Sequence, residues 1–474
     1  MRFAAYAAAC VCIGLDLWLR RTFGALTLDQ LLWHLRYAED AALGMSQVFV
    51  VEFLVEVLVL PLAIALVAAL CHAVVRPHLA GRRRHLLRAV PAGATAGALV
   101  ALALQFSVVS YAQAYFEPDR FAQEYVDPAT VWLSSRQRHN LVVIYAESLE
   151  AGYGNSALFG HDLLAPLRSL GGRSYDWYRP AAGATWTMAG MVATQCGVPL
   201  KVYSEGDVRR RPGAKSFLPG ATCLGDVLQA HGYRSVFLGG APLSFSGKGQ
   251  FLRDHGYGET WGREEWERSG VRPGELNAWG LYDSALFDRA RAALARLHAA
   301  GQPFNLTLLT LDTHNPRGFL SGDCSRRGAA EFEGIVSCTA REIADFIRYA
   351  RAQGYLKDTT VVVIGDHLAP ANPVHDLLVQ APRRGMFNLF VGDQLPPANT
   401  RDLLPFDLFP TLVELAGIDV HGNRLGLGYS AVGDVETGNA DERAERWSLG
   451  ALRGSRRYDA LWSAHSHVDL GPHD

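Results

Sequence analysis

Hydrophobic positions along this chain follow two regimes. Up to residue 115 they form long blocks, at 3–19, 48–75 and 89–111; beyond 138 they recur as short runs between polar, glycine-bearing segments. The second and third blocks reach the roughly 20 apolar residues that a bilayer core requires, while the first is marginal and carries Asp16. A cleaved leader competes for the first block, but that block ends in Trp18-Leu19-Arg20-Arg21 without a small-residue cleavage site, so an uncleaved helix is expected. Segment 76–88 holds Arg76, Arg82, Arg83, Arg84 and Arg88 and no acid, which assigns it to the cytoplasmic side. The third helix then delivers the rest of the chain to the opposite side. Glu52 and Glu56 lie one turn apart near the outer end of the second block, where they are expected to snorkel to the interface, contact with a headgroup or another helix being the alternative.

From 139 onward the pattern predicts an α/β domain, a mainly parallel sheet flanked by helices, running to 474. The runs 141–146, 234–239, 304–311 and 359–365 are continuous and apolar, as strands buried on both faces must be. Helical spacing separates them at 223–231, 281–300 and 340–353, and 407–418 reads as a capped helix with a glycine stop. Residues 116–138 are expected to form an amphipathic connector after a three-helix anchor at 1–115. The tail after 455 carries few structural signals.

Charge and cysteine content refine this picture. Lys+Arg 45 against Asp+Glu 47 leaves a net charge of −2, so no overall basic character argues for a nucleic-acid partner. Cys10, Cys12 and Cys71 lie in the apolar blocks, whereas Cys196, Cys223, Cys324 and Cys338 lie in the α/β region without metal-type C-x-x-C spacing. In an oxidising compartment, Cys196–Cys223 and Cys324–Cys338 are the sequence-local pairings among three connectivities.

The chemistry gathers where the predicted strands end. Glu147, Asp312, His314, Asp366 and His367 each follow one, and open parallel sheets collect their ligands at that edge. The stretch 183–199 brings Thr185 and Thr187 to the point where a glycine-flanked loop turns into a helix. A hydroxyl there meets unpaired N–H groups and the positive end of the helix dipole, which favour an anionic group. An acid, a hydroxyl and an Asp-His pair together suggest one metal ion activating an alkoxide; the competing role for either threonine is a plain N-cap.

These pieces resemble the alkaline phosphatase/sulfatase superfamily, and within it the membrane-anchored phosphoglycerol transferases, a group that includes the lipoteichoic acid synthases. The likeness covers roughly 138–430. It rests on Ala146-Glu147-Ser148-Leu149, Trp186-Thr187-Met188-Ala189-Gly190-Met191 with Gln195-Cys196-Gly197, Leu311-Asp312-Thr313-His314, Gly365-Asp366-His367 and Asp407-Leu408-Phe409-Pro410-Thr411-Leu412. The resemblance implies that Glu147, Asp366, His367 and the Thr187 oxygen hold one divalent metal ion, with Mn²⁺ favoured and Zn²⁺ or Mg²⁺ also suited to the donors. It implies Thr187 as nucleophile, because Thr187–Gly197 matches the sulfatase nucleophile-to-glycine length, and His314 as acid/base. Thr185, Trp186, Asp312 and His375 are expected to line the substrate site. Arg317, Arg383, Arg384, His161, His255 and Lys248 are weaker candidates, the arginines being solvated charges by default.

True sulfatases carry a cysteine or serine in Cys/Ser-x-Pro/Ala-x-Arg; Thr187-Met188-Ala189-Gly190-Met191 has neither the nucleophile nor the arginine. The expected activity is transfer of phosphoglycerol from phosphatidylglycerol in the membrane to a periplasmic glucan or other envelope glycan, through a phospho-threonine. The expected location is a bacterial inner membrane, with the catalytic domain outside. A phosphoethanolamine transferase, a lipoteichoic-acid-type polymerase and a non-catalytic binding domain are the rival expectations.

Overall fold

A computed structural model describes residues 2–23, 51–106, 118–135, 137–201, 216–395, 401–433, 435–447, 452 and 455–463. Among the described residues, three long helices precede the domain: α1 (Arg2–Phe23), α2 (Leu60–Val75, continuing a π-helical stretch Leu54–Val59) and α3 (Gly81–Gln105). The stretches Phe3–Arg21, Val51–His78 and Gly81–Gln105 are long and apolar enough to cross a membrane, by length and composition. The arginine-rich segment differs from the expected loop. Only 76–78 form a 3₁₀ turn, and 82–88 already belong to α3, since nothing in Arg-Arg-Arg-His-Leu-Leu-Arg breaks a helix. Residues 48–50 of the second block and 107–111 of the third lie outside the described residues. Arg21 pairs with Glu56 at 2.6 Å and reaches Glu52 at 3.7 Å, so these acids face a helix.

The domain is built on a six-stranded sheet. Its strands are β1 (Asn140–Ala146), β2 (Arg234–Gly239), β3 (Tyr257–Trp261), β4 (Phe304–Leu309), β5 (Thr359–Gly365) and β6 (Asn388–Val391), arranged β3-β2-β4-β1-β5-β6. All neighbours are parallel except β5 and β6. β1 is central because every side chain from Leu141 to Ala146 is apolar and both its faces are covered. Leu141, Val143 and Tyr145 pack with α4 (Thr187–Cys196), α5 (Leu224–Ala230) and α8 (Leu408–Leu415). On the other face Val142 and Ile144 pack with α6 (Asp283–Ala300) and α7 (Phe332–Ala352). α7 buries Phe332, Ile335, Val336, Ile343, Phe346 and Ile347, one stripe at helical spacing, each worth about 1.5–3 kcal/mol of burial.

Two expectations about boundaries change. The connector supplies structure to the domain: Phe121 is fully buried against Trp447 and Tyr458, and Leu133–Ser135 pairs antiparallel with Ile418–Val420. The tail forms a further helix, Arg456–Ala460, and sinks Tyr458 and Trp462 into the core; 464–474 lie outside the described residues. Disulfides join Cys196 to Cys223 and Cys324 to Cys338.

Candidate active site

Three adjacent strands, β4, β1 and β5, present their carboxyl ends side by side, and the polar residues that follow them form the site. Glu147 follows β1, and Asp366 and His367 follow β5. All three are buried, with one ligating atom from each within 4.8 Å of the others. Ser148 sits at φ 54°, a left-handed conformation that lets it serve both carboxylates. Its N–H donates to Asp366 Oδ1 at 2.8 Å and its hydroxyl to Glu147 Oε1 at 2.8 Å. Glu147 is held further by its N–H on Thr310 Oγ1 and by the Thr313 hydroxyl on its carbonyl.

The N-terminus of α4 enters this cluster from the side. Trp186 is the N-cap in extended backbone and Thr187 is the first helical residue. Its hydroxyl donates to Glu147 Oε2 at 3.3 Å and lies 3.4 Å from His367 Nε2. Gly190 N–H takes the first intrahelical bond, to Trp186 O, so the N–H groups of 187–189 precede the ladder. Glycines make two close approaches possible, that of α4 to Asp366 and that of the loop after β1 to the end of β5. A Cβ on Gly190 would stand 2.3 Å from Asp366 O, and one on Gly365 would stand 2.1 Å from Leu149 O.

The electrostatics are those of a cation site. Burial opposes charge on the His367 ring, but the Asp366 and Glu147 carboxylates outweigh it and raise its pKa to about 10. Burial and the neighbouring Glu147 charge raise Asp366 above the usual carboxylate range. Burial also works against Glu147, yet the His367 hydrogen bond and the fields of His314 and His367 bring it below that range. Asp366 Oδ2 is buried and makes no hydrogen bond, with His367 Nε2 3.4 Å away as an ion contact. His367 Nδ1 bonds the Leu368 carbonyl at 2.8 Å and therefore carries a proton, which turns Nε2 toward the carboxylates as a ligand nitrogen. Two carboxylates, an imidazole and a hydroxyl, with one orphaned oxygen among them, fit a single divalent cation.

The other expected residues are placed as follows. His314 stacks on Trp279, centroids 5.4 Å apart, with Nδ1 bonded to Asn315 O, and its charge acts on Glu147. Thr185 is exposed, and no hydrogen bond joins it to the cluster among the described residues. Trp186 is half-buried against the core. His375 opens a short helix, His375–Leu378, with Nδ1 buried. Asp312 turns inward: its Oδ2 accepts from Asp283 N–H, and Asp283 in turn accepts from the N–H groups of Leu311 and Asp312 and from Thr339. His255 is engaged structurally, on Asp226 and Phe217 O. Arg384 is no solvated charge; it pairs with buried Glu150. Lys248, another of the weaker candidates, lies within the field of the cluster. It is buried close enough to feel Glu147 and Asp366, and burial lowers its pKa to about 8 against their pull. Ser148 and Thr313 lie in the stretches that carry the resemblance but have no role assigned from sequence, and Thr310 lies inside the predicted strand 304–311.

The Asp283–Asp312 pair carries a pH prediction. Burial lifts Asp283 to about 6, and burial plus the Asp283 charge lifts Asp312 well above the usual range. Both exceed the unfolded value of about 4, so the folded state binds more protons. The cost of the pair is absent below about pH 4 and grows as pH rises through 6 and beyond. Asp312→Asn keeps an acceptor for Asp283 N–H and removes one charge. Its melting midpoint should climb relative to the parent between about pH 5 and pH 8; a difference that stays flat with pH would reject this account.

Comparison with known proteins agrees with this architecture. The sulfatase family model matches residues 139–418, more than half of the chain. Phosphoglycerol transferase I of Xanthomonas axonopodis pv. citri is 37% identical over 320 residues, 65% of this chain and 45% of that protein. The enzyme of the same name from Escherichia coli O127:H6 is 36% identical over 352 residues, 71% of this chain and 45% of that protein. The chain thus spans about half the length of the curated relatives it matches. A Vibrio parahaemolyticus protein of the alkaline phosphatase superfamily superposes with a TM-score of 0.51 at 21% identity, covering 68% of this chain and 79% of that one, a likeness of fold. By the match that spans the sheet, the Thr187 helix and the Glu147–Asp366–His367 cluster, this chain belongs to the sulfatase family.

Proposed function

We propose that this protein is a phosphotransferase that moves phosphoglycerol from phosphatidylglycerol to a cell-envelope glucan through a phospho-threonine at Thr187. The observation that carries the reading is the Thr187 hydroxyl at the first turn of α4, against Glu147 and His367, in a chain that is 36–37% identical to phosphoglycerol transferases over much of its length. A threonine at this position cannot become the formylglycine that sulfate-ester hydrolysis uses, which sets sulfatase activity aside.

Glu147, Asp366, His367 and Thr187 Oγ1 would hold the cation, Mn²⁺ by preference. When bound, it lowers the hydroxyl pKa and neutralises phosphate charge. In the first half-reaction the Thr187 Oγ1–P bond forms and the P–O bond to diacylglycerol breaks; the threonine proton leaves to solvent and the diacylglycerol oxygen takes one from His314. In the second, a sugar hydroxyl forms its bond to phosphorus, gives its proton to His314, and Thr187 regains a proton as its own P–O bond breaks. Dividing one displacement into two lowers each barrier. The first N–H groups of α4 and the Lys248 ammonium stabilise the non-bridging oxygens. Two disulfides and three spanning-length helices support an anchored enzyme whose domain lies on the oxidising side, at high local concentration of its lipid donor.

The test uses the full chain in micelles with Mn²⁺ and headgroup-labelled phosphatidylglycerol. Diacylglycerol release that rises with soluble β-glucan, label appearing on the sugar, and loss of both with a chelator are expected. Turnover of phosphatidylethanolamine instead would overturn the donor, and silence with both lipids would overturn the catalytic reading.

A further inference from the structure

A second concave surface lies at the β6 edge of the sheet, at the same end as the cluster, since Asn388 at the start of β6 is level with Ile364 at the end of β5. Segment 173–178 runs along this edge but meets it in backbone pairing only at Arg173–Phe390 and Tyr178–Met386. Between those points Asn388 bonds Tyr175 through its side chain, and the segment bows outward. The result is a cleft of about 440 Å³ whose walls include Trp177, Asp176, Ser174 and Arg383.

Trp177 is fixed in this cleft. Its indole N–H donates to Arg384 O at 2.9 Å, and a Cβ on Gly385 would stand 2.5 Å from the ring, so the indole lies directly on the chain there. The buried Arg179 packs on the ring at 4.2 Å, and Arg383 covers it at 4.8 Å. Arg383 is exposed and has no carboxylate partner among the described residues, so an incoming group can displace it. Asp176 is likewise exposed and unpaired among the described residues. A rigid aromatic face with one acid and one guanidinium beside it suits a neutral polyhydroxyl ligand. An anion would gain from Arg383 but lose to Asp176, and Arg168, the other cation of the cleft, is already bonded to Asp162 and Gly154 O.

The cleft also connects to the site. Ala151 N–H bonds Gly385 O, Phe387 N–H bonds Leu149 O, and Gly365 N–H bonds Phe387 O, so the cleft floor is laced to both segments that carry the acids. Ala151 is four residues beyond Glu147, a separation of no more than about 14 Å.

We propose that this cleft is a saccharide subsite that holds a neighbouring stretch of the acceptor glycan, with Trp177 as stacking platform and Arg383 and Asp176 as hydroxyl-binding arms. The proposal rests on the reading of the acceptor as a glucan, and its test is kept apart from turnover. The full chain carrying Thr187→Ala, in a non-glycosidic detergent, is titrated calorimetrically with short β-gluco-oligosaccharides. Saturable binding is expected. Adding Trp177→Ala should weaken it about tenfold, the scale of removing a central aromatic anchor. Adding Arg383→Ala or Asp176→Ala, both at exposed positions, should weaken it less but measurably, and Trp132→Ala, at an exposed tryptophan elsewhere, should not change it. If Trp177→Ala fails to fold, the Arg383 and Asp176 variants decide. No binding to the parent, or binding that all three variants leave unchanged, overturns the subsite even if phosphatidylglycerol turns over. Absence of that turnover would overturn the transferase reading while the titration still judges the cleft.

Discussion

Thr187→Ala is expected to lower phosphatidylglycerol turnover by at least about 10⁴-fold, the scale of deleting a covalent nucleophile from a site whose parts act together. The physical basis is positional. Thr187 Oγ1 is the hydroxyl that reaches both Glu147 and His367, and it stands where the α4 N–H groups are unspent. Glu147, Asp366 and His367 remain in the variant, so cation binding should weaken far less than turnover. Thr187→Ser, which keeps the oxygen, should restore part of the activity together with a glycerophospho adduct visible by mass spectrometry on the peptide containing residue 187. Thr185→Ala should retain that adduct, because Thr185 faces solvent. An adduct surviving in Thr187→Ala would remove the assignment of the nucleophile.

The second large effect is structural. Glu150 is fully buried and takes Arg384 in a two-pronged ion pair, Nε on Oε2 at 3.0 Å and the terminal nitrogen on Oε1. The same Oε1 accepts from Ala369 N–H at 2.9 Å, and Arg384 donates to Ala369 O at 2.8 Å. One ion pair thus ties the loop after Glu147, the loop after Asp366-His367 and the segment leading to β6. Glu150→Ala strands the guanidinium against a carbonyl. The cost should be about 3 kcal/mol, the low end for breaking a buried pair, because Arg384 keeps part of its side chain in water. A melting midpoint lower by several degrees is expected, with a loss of cation affinity, since the tied loops carry the ligands. The double variant Glu150→Ala/Arg384→Ala should recover part of the stability by removing the uncompensated charge. Melting of Glu150→Ala at the parent temperature would show that the pair does not hold these loops.

Sequence pattern by itself determined the three apolar helices, the four long buried strands, the helix that starts at Thr187, and the residues Glu147, Asp366 and His367 at strand ends. Those features are local. Period, unbroken apolar runs and residues at the end of a run are written within a few positions of one another, and β1 and β5 were bounded within a residue. The shorter strands were not legible. β6 has four residues and β3 five with a half-exposed face, too little for a period to register. Tertiary structure alone decided which polar residues meet. Asp312 and Lys248 looked like a strong and a weak site residue, yet the register of β4 beside α6 turns Asp312 onto Asp283, while the turn before residue 248 buries the lysine near Glu147. Arg384 looked solvated until the sheet brought it to Glu150, and Ser148 meets Asp366 from 218 residues away. Contacts of that span follow from strand order and register rather than from any neighbourhood in the chain, so they exist only once the sheet has closed.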